Sequence, residues 1–176
     1  MTGKRNIVLV GFMGTGKSAV AKILAARTAR RLVEMDALIQ RKEGMSINEI
    51  FAQKGEPYFR AREREVVQAL SAKTGLVIST GGGVVLNPDN VKDFQQTGTV
   101  ICLSASPETI YQRVKHRTHR PLLKTPNPLE KIKELLIARA PHYARADATV
   151  ITDGKSIEEI AGEIERIIVT AQVDRL

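Results

Sequence analysis

Residues Gly11 to Ser18 read Gly-Phe-Met-Gly-Thr-Gly-Lys-Ser, a full match to the pattern GxxxxGK[ST], and this stretch admits very few architectures. Just before it, Ile7-Val8-Leu9-Val10 is an unbroken apolar run suited to a parallel strand buried on both faces. Just after it, Ala19 to Arg30 is rich in Ala, Leu and Lys, which favours a helix. A strand, a glycine loop and a helix start, in that order, make a cradle for a phosphate chain. Glycines let main-chain N–H groups approach the oxyanions, and the helix N-terminus adds partial positive charge. The expected nucleotide contacts are Gly14, Thr15, Gly16, Lys17, Ser18 and Ala19. Lys17 supplies a mobile cation for the β and γ phosphates, and the Ser18 hydroxyl a ligand for Mg²⁺. A glycine turn that merely precedes a helix has no need of Lys-Ser at these positions. The chain is expected to bind a nucleoside triphosphate.

At 176 residues the chain suits one domain with a sizeable core, so a single unit is expected over residues 1–176. Its 43% hydrophobic and 26% charged residues are those of a globular protein. No apolar run approaches the length of a membrane span. The N-terminus passes at once into strand-like sequence, so no signal peptide is expected. The one cysteine, Cys102, lies in the apolar run Val100-Ile101-Cys102-Leu103, as a core residue in a reducing compartment would. A cytoplasmic protein is the expectation. The net charge of +8 invites a nucleic-acid reading, but tryptophan is absent, aromatics are 4%, and no RNA-binding signature appears. Anionic small substrates also favour a basic cleft.

Apolar strand candidates at 7–10, 32–35, 76–79, 99–103 and 149–152 alternate with helical stretches. The helices are placed at about 18–30, 46–54, 61–74, 107–116, 128–138 and 157–171. Ser46 with Glu49, and Ser156 with Glu159, have capping-box spacing and mark two helix starts. This alternation implies an α/β fold with a parallel sheet covered on both faces, whose ligands sit at the carboxyl ends of the strands.

Several polar features stand at those ends. Glu34 and Asp36 close the second strand two residues apart, a spacing that points both carboxylates to one face of a strand. One carboxylate there can orient or deprotonate an acceptor hydroxyl and the other can hold Mg²⁺ through water. Asp36 also precedes Ala37-Leu38-Ile39-Gln40, so a helix N-cap is the plainer alternative. The stretch Gly55 to Arg60 reads as a turn before a charged helix, with Arg60 placed to clamp a carboxylate. Arg62 and Arg64 have neighbouring glutamates and read as surface pairs. Gly81-Gly82-Gly83 follows the third strand directly, and three glycines in a row suit a ligand held against bare backbone. From Lys115 to Lys124 a basic, polar stretch offers Arg117 and Arg120 as cations for transferring oxygens. His116 and His119 lack a matching ligand set and read as solvated loop residues. Arg139 has two readings: a surface pair with Glu134 or Asp147, or a side chain in the cleft.

Taken in order, these motifs resemble the bacterial shikimate kinases. The carriers are the phosphate loop, Asp36, Gly55-Glu56 with Phe59-Arg60, Gly81-Gly82-Gly83, Arg120-Pro121-Leu122-Leu123, and Arg139 with Tyr143. The resemblance spans about residues 7–169. It implies a three-layer P-loop NTPase fold, nucleoside-monophosphate-kinase-like, with five parallel strands in the order 2-3-1-4-5. It implies transfer of the ATP γ-phosphoryl group to the 3-hydroxyl of shikimate with Mg²⁺ as cofactor, by a monomer that closes a lid near 116–124. Asp36 would bind the shikimate hydroxyls and act as base, within a substrate region at about 34–62. Arg60 and Arg139 would hold the carboxylate, and Gly81, Gly82 and Gly83 would supply backbone contacts. Lys17 and Arg120 would stabilise the moving phosphoryl group, with Arg117 near the adenine, Ser18 on Mg²⁺ and Glu34 reaching that ion through water. The family commonly has Asp where this chain has Glu34. A kinase for another small hydroxy-acid, such as gluconate, is the alternative.

Overall fold

The computed structural model describes residues 4–117 and 124–173. Five strands form one parallel sheet: β1 (Asn6–Gly11), β2 (Arg31–Glu34), β3 (Leu76–Ser79), β4 (Gly98–Ser104) and β5 (Ala148–Ile151). Their order across the sheet is β2-β3-β1-β4-β5, as the resemblance implies. The helices are α1 (Lys17–Thr28), α2 (Met35–Glu43), α3 (Ile47–Lys54), α4 (Glu56–Ser71), α5 (Pro88–Thr97), α6 (Pro107–Val114), α7 (Pro128–Tyr143) and α8 (Ile157–Val173).

The apolar run of β1 is continuous because both faces of the sheet are covered. Ile7 and Leu9 enter a core completed by Val20, Leu24, Ile160 and Ile164 from α1 and α8. Val8 and Val10 enter the opposite core with Met35, Ile50, Val67, Phe94 and Ile132 from α2, α3, α4, α5 and α7. All four strand residues are fully buried. Truncating any of them to Ala would cost on the order of 1–5 kcal/mol, because so dense a site collapses poorly. Cys102 sits in the second core, as expected, and burial pushes its thiol up to about 11.

Both capping boxes form. Ser46 Oγ accepts from the Glu49 N–H at 3.2 Å while Glu49 accepts from the Ser46 N–H at 2.7 Å. The Ser156 and Glu159 pair repeats the exchange at 3.1 and 2.7 Å.

Four expectations change. Met35 is not the end of β2 but the first residue of α2, because strand and helix join without a loop. The presumed turn before Ala61 is helical from Glu56, since Pro57 lies in the first turn of α4, where a missing N–H costs nothing. α5 was not expected: Asn87 caps it through the Asp89 N–H at 3.0 Å, and it buries only Asn90, Val91 and Phe94. α7 continues past Ala138 to Tyr143, with Pro141 inside it.

Part of the positive charge has a structural use. Arg5 donates to the carbonyls of Gln95, Gln96 and Gly98 at 3.0, 3.2 and 2.8 Å, and Lys4 to that of Thr28 at 3.0 Å. These are carbonyls at the C-terminal ends of α5 and α1, where partial negative charge accumulates. No helix among the described residues is long and apolar enough to cross a membrane.

Candidate active site

Parallel pairing brings the carboxyl ends of β1, β2 and β3 to one edge of the sheet, with Glu34 beside Ser79 and Leu9 beside Ser79 on the other side. A cleft of about 810 Å³ opens there. Its floor is the phosphate loop, in which Gly11, Gly14 and Gly16 all have positive φ, at 142°, 77° and 96°. Gly14 is doubly constrained, since a Cβ there would stand 2.7 Å from Val114 Cγ1 of α6. Thr15 Oγ1 donates to the Phe12 carbonyl at 2.8 Å and fixes the loop from below. Gly16 caps α1 without a side chain, so the first N–H groups of that helix point into the cleft. Lys17 is nearly buried, and its ammonium donates to the carbonyls of Gly11 and Phe12 at 2.7 and 3.0 Å. Ser18 donates to Glu34 Oε2 at 3.0 Å and lies 3.4 Å from Ser79 Oγ. Ala19, Asp36 and Arg117 line the same cleft.

Opposite the loop, the triple-glycine turn joins β3 to a 3₁₀ turn at Val84–Leu86. Bare backbone is needed here, but not through φ, since none of the three glycines lies in the left-handed region. A Cβ on Gly81 would stand 2.9 Å from Asp36 Oδ1, and one on Gly83 2.7 Å from Arg60 Nη1. The turn thus makes room for the site's own Asp36 and Arg60. Asp36 is in the first turn of α2, so the strand spacing that put it on one face with Glu34 does not hold. Nor does Asp36 cap the helix: the residue at the cap position is Glu34, without a side-chain capping bond.

Arg60 projects from α4, held by Glu56 at 3.2 Å and Glu63 at 2.8 Å, its guanidinium over the Phe59 ring. Arg139 turns to the glycine turn at the cleft wall, not to Glu134 or Asp147. Its Nη1 donates to the Gly82 carbonyl at 3.4 Å and its guanidinium covers the Phe12 ring at 5.6 Å. Tyr143, one helical turn on, donates to the same carbonyl at 2.7 Å. Burial pushes the Tyr143 phenol up to about 12, with Arg139 opposing the rise, so it remains a donor. Asp147 instead accepts the Val100 N–H at 2.7 Å. Arg120, with Thr118, His119, Pro121, Leu122 and Leu123, lies outside the described residues.

Two residues of this region, Glu63 and Arg113, are not among the sequence candidates, and a third, Arg64, has a different partner from the one expected. Glu63 is 1% exposed, not a surface partner of its neighbours, and burial raises its carboxyl above the ordinary range against the pull of Arg60. Its place three residues after Arg60 on one helix was the available signal. Arg64, read as pairing with a neighbouring glutamate, bonds Asp93 of α5 at 2.8 Å. Arg113 donates to the Gly14 carbonyl at 3.1 Å and to Thr152 Oγ1 at 3.2 Å, tying the phosphate loop to the end of β5. Beside it, Asp153 accepts from Thr109 Oγ1 at 2.6 Å and from Ser106 Oγ at 2.8 Å. Those hydroxyls, Thr109 first, hold the Asp153 carboxyl below its usual range. A second, largely apolar cavity of about 700 Å³ lies behind the site, with Phe12 and Tyr143 in its wall. Among the described residues no three His, Cys, Asp or Glu side chains form a metal cage.

The family model described as Shikimate kinase matches residues 13–169. The chain belongs to the shikimate kinase family. A curated shikimate kinase from Thermodesulfovibrio yellowstonii is 46% identical over 160 residues, covering 91% of this chain and 92% of that one. One from Geobacter metallireducens is also 46% identical over 160 residues, covering 91% and 89%. The solved structure of the Acinetobacter baumannii shikimate kinase in complex with shikimate superposes with a TM-score of 0.91 at 36% identity, covering 97% of this chain and 96% of that chain.

Proposed function

We propose that this protein transfers the γ-phosphoryl group of ATP to the 3-hydroxyl of shikimate, giving shikimate 3-phosphate and ADP. One observation carries the reading beyond family membership. Arg60 from α4 and Arg139 from α7 converge on one glycine turn that faces Asp36, across a cleft from the phosphate loop. Shikimate offers one carboxylate and several hydroxyls, and this wall offers a partner to each.

The division of labour follows from charge and reach. The N–H groups at the start of α1 and the Lys17 ammonium receive the phosphate oxygens. For that, Lys17 leaves the carbonyls of Gly11 and Phe12, so the loop carries its own stand-in partners for the ammonium. Arg60 and Arg139 clamp the substrate carboxylate, which fixes the acceptor ring. Asp36 accepts hydrogen bonds from the ring hydroxyls and takes the proton of the one that attacks. Arg120 and Lys17 stabilise the charge of the moving phosphoryl group, and Arg117 stands at the nucleotide end. Gly81, Gly82 and Gly83 admit the substrate to the backbone. Positioning and electrostatics supply most of the rate in such a transfer.

The residues present fit Mg²⁺: Ser18 Oγ and Glu34 Oε2 are hard oxygen donors 3.0 Å apart at the mouth of the phosphate cradle. Ser18 and Glu34 would hold the ion, which would supply positive charge to offset that of the phosphates. A single kinase domain acting as a cytoplasmic monomer completes the proposal.

Titration calorimetry with shikimate, alone and with Mg²⁺–ADP present, tests acceptor identity and coupling between the two sites. Micromolar to millimolar binding of shikimate, and none of gluconate, is expected on the scale of ordinary substrates. Failure of shikimate to bind or to be phosphorylated refutes the assignment. Replacing Arg60 or Arg139 by Ala should weaken shikimate binding by about 2–5 kcal/mol.

A further inference from the structure

Helix α2 carries Asp36 near one end and Glu43 at the other, seven residues apart. Seven residues are close to two helical turns, so the two carboxylates leave one side of the helix, about 10 Å apart along its axis. At the Asp36 end α2 meets α4 over the glycine turn. A Cβ on Gly81 would lie 2.9 Å from Asp36 Oδ1 and 3.5 Å from Glu63 Oε1, so a carboxylate from each helix faces the same point. Like charges disfavour that approach, and Asp36 adds, behind burial, to the upward push on the Glu63 carboxyl. Nothing in that contact draws the two helices together.

At the Glu43 end the sign is reversed. Glu43 Oε2 accepts from the Tyr58 hydroxyl of α4 at 2.9 Å and from Lys54 Nζ of α3 at 2.9 Å. Lys54 also donates to the Tyr58 hydroxyl at 3.2 Å, and its ammonium lies 4.5 Å from the centre of that ring. The Arg62 guanidinium carbon lies 5.3 Å from the same ring. An exposed ion pair would count for little. Here the Glu43 side chain is only 11% exposed, and its partners come from two other helices. Lys54 first, then Tyr58, hold its carboxyl below the usual range, so it keeps its charge at neutral pH. Gln40 ties α2 to α3 through the Ile47 N–H at 3.1 Å, whereas Glu43 reaches α4 itself. We propose that Glu43 is a positioning residue for the transfer: by tying the far end of α2 to Tyr58, two residues before Arg60, it sets the separation between Asp36 and the Arg60 clamp. The proposal rests on the assignment of Asp36 and Arg60 to the acceptor.

Steady-state kinetics of the full-length native protein, E43A, E43Q and Y58F, with shikimate and ATP varied separately, test it. E43A should raise the shikimate KM on the order of tenfold and leave the ATP KM unchanged, since the phosphate loop leads into α1 and not into the tied helices. E43Q keeps the length and an acceptor oxygen and should recover most of the loss, with Y58F between E43Q and E43A. Amide exchange in E43A should quicken in α2 and not in α1. A native shikimate KM in both E43A and Y58F, or an equal rise for both substrates, would overturn the proposal and leave the kinase reading standing. If E43A does not fold, Y58F decides by the same two readings. Native protein that does not phosphorylate shikimate would overturn both.

Discussion

Replacing Arg60 by Ala should do more than weaken substrate binding: it should make the stability of the fold depend on pH through Glu63. The Glu63 side chain is 2% exposed and that of Arg60 27%, and their bond is 2.8 Å. The second carboxylate oxygen, Oε1, is buried with no hydrogen-bond partner, so Arg60 is the main compensation that Glu63 has. Removing one member of a buried ion pair costs about 3–5 kcal/mol. Water can enter the space left by the half-exposed Arg60, which places the effect near the low end, at about 3 kcal/mol. Protonation relieves part of it, by about 1.4 kcal/mol for each unit that the pKa rises. Burial already holds the Glu63 carboxyl above its ordinary range, and loss of Arg60 raises it further. A carboxyl raised on folding contributes its stability below the unfolded pKa and loses it as pH rises through the folded one. R60A should therefore be nearest to the native protein below the unfolded glutamate pKa and fall to about 3 kcal/mol less stable as pH rises through the raised Glu63 pKa. Urea unfolding at several pH values between these limits measures this directly. E63Q added to R60A should flatten the profile. A deficit that is the same at every pH, or one that E63Q leaves in place, would refute the reasoning.

The other expectations concern the site itself. K17M should lower kcat by at least about 10²–10³-fold in a coupled ADP-release assay, since the cation at the phosphates is lost while the fold is kept. G83A should raise the shikimate KM on the order of tenfold to a hundredfold and leave the ATP KM unchanged, because a Cβ there lies 2.7 Å from Arg60 Nη1 and displaces the clamp. Y143F leaves the Gly82 carbonyl with only the 3.4 Å bond from Arg139, and thermal unfolding should show a loss of about 1–2 kcal/mol. Asp153 carries a lowered pKa, so its contribution is present above the unfolded value near pH 4 and lost as pH falls through the folded one. D153N should abolish that acid-side dependence in the same unfolding assay.

Much of this was legible from the chain alone, for identifiable reasons. β1, β3 and β4 announce themselves because burial on both faces demands continuous apolar runs. The phosphate loop does so because glycine, lysine and serine are each required at a fixed place. What escaped were elements whose signal is weak or shared. α5 buries three residues in ten, too few for a period to stand out, although Asn87-Pro88 carried its start. α2 follows β2 without a break, so Met35 reads as strand and Asp36 inherits a false strand geometry. Pro57 suggested a turn where it opens a helix. Extending α7 past Pro141 is what places Arg139 and Tyr143 on one face, four residues apart, over Gly82. The burial of Glu63 depends on α4 packing against α5 and the glycine turn, a relation between distant segments that no local pattern encodes.

The crowding of Arg60 against Gly83 has a consequence for how this site can drift over evolutionary time. A methyl group at 83 and the guanidinium at 60 claim the same space, so a side chain at 83 is admitted only where the Arg60 guanidinium moves or is replaced. The constraint runs one way: descendants that acquire a side chain at 83 must also abandon the arginine or re-route it, whereas the arginine can shorten beside an unchanged glycine. A library randomised at both codons and selected for growth on this activity should return the Gly–Arg combination far more often than the separate frequencies of the two residues predict.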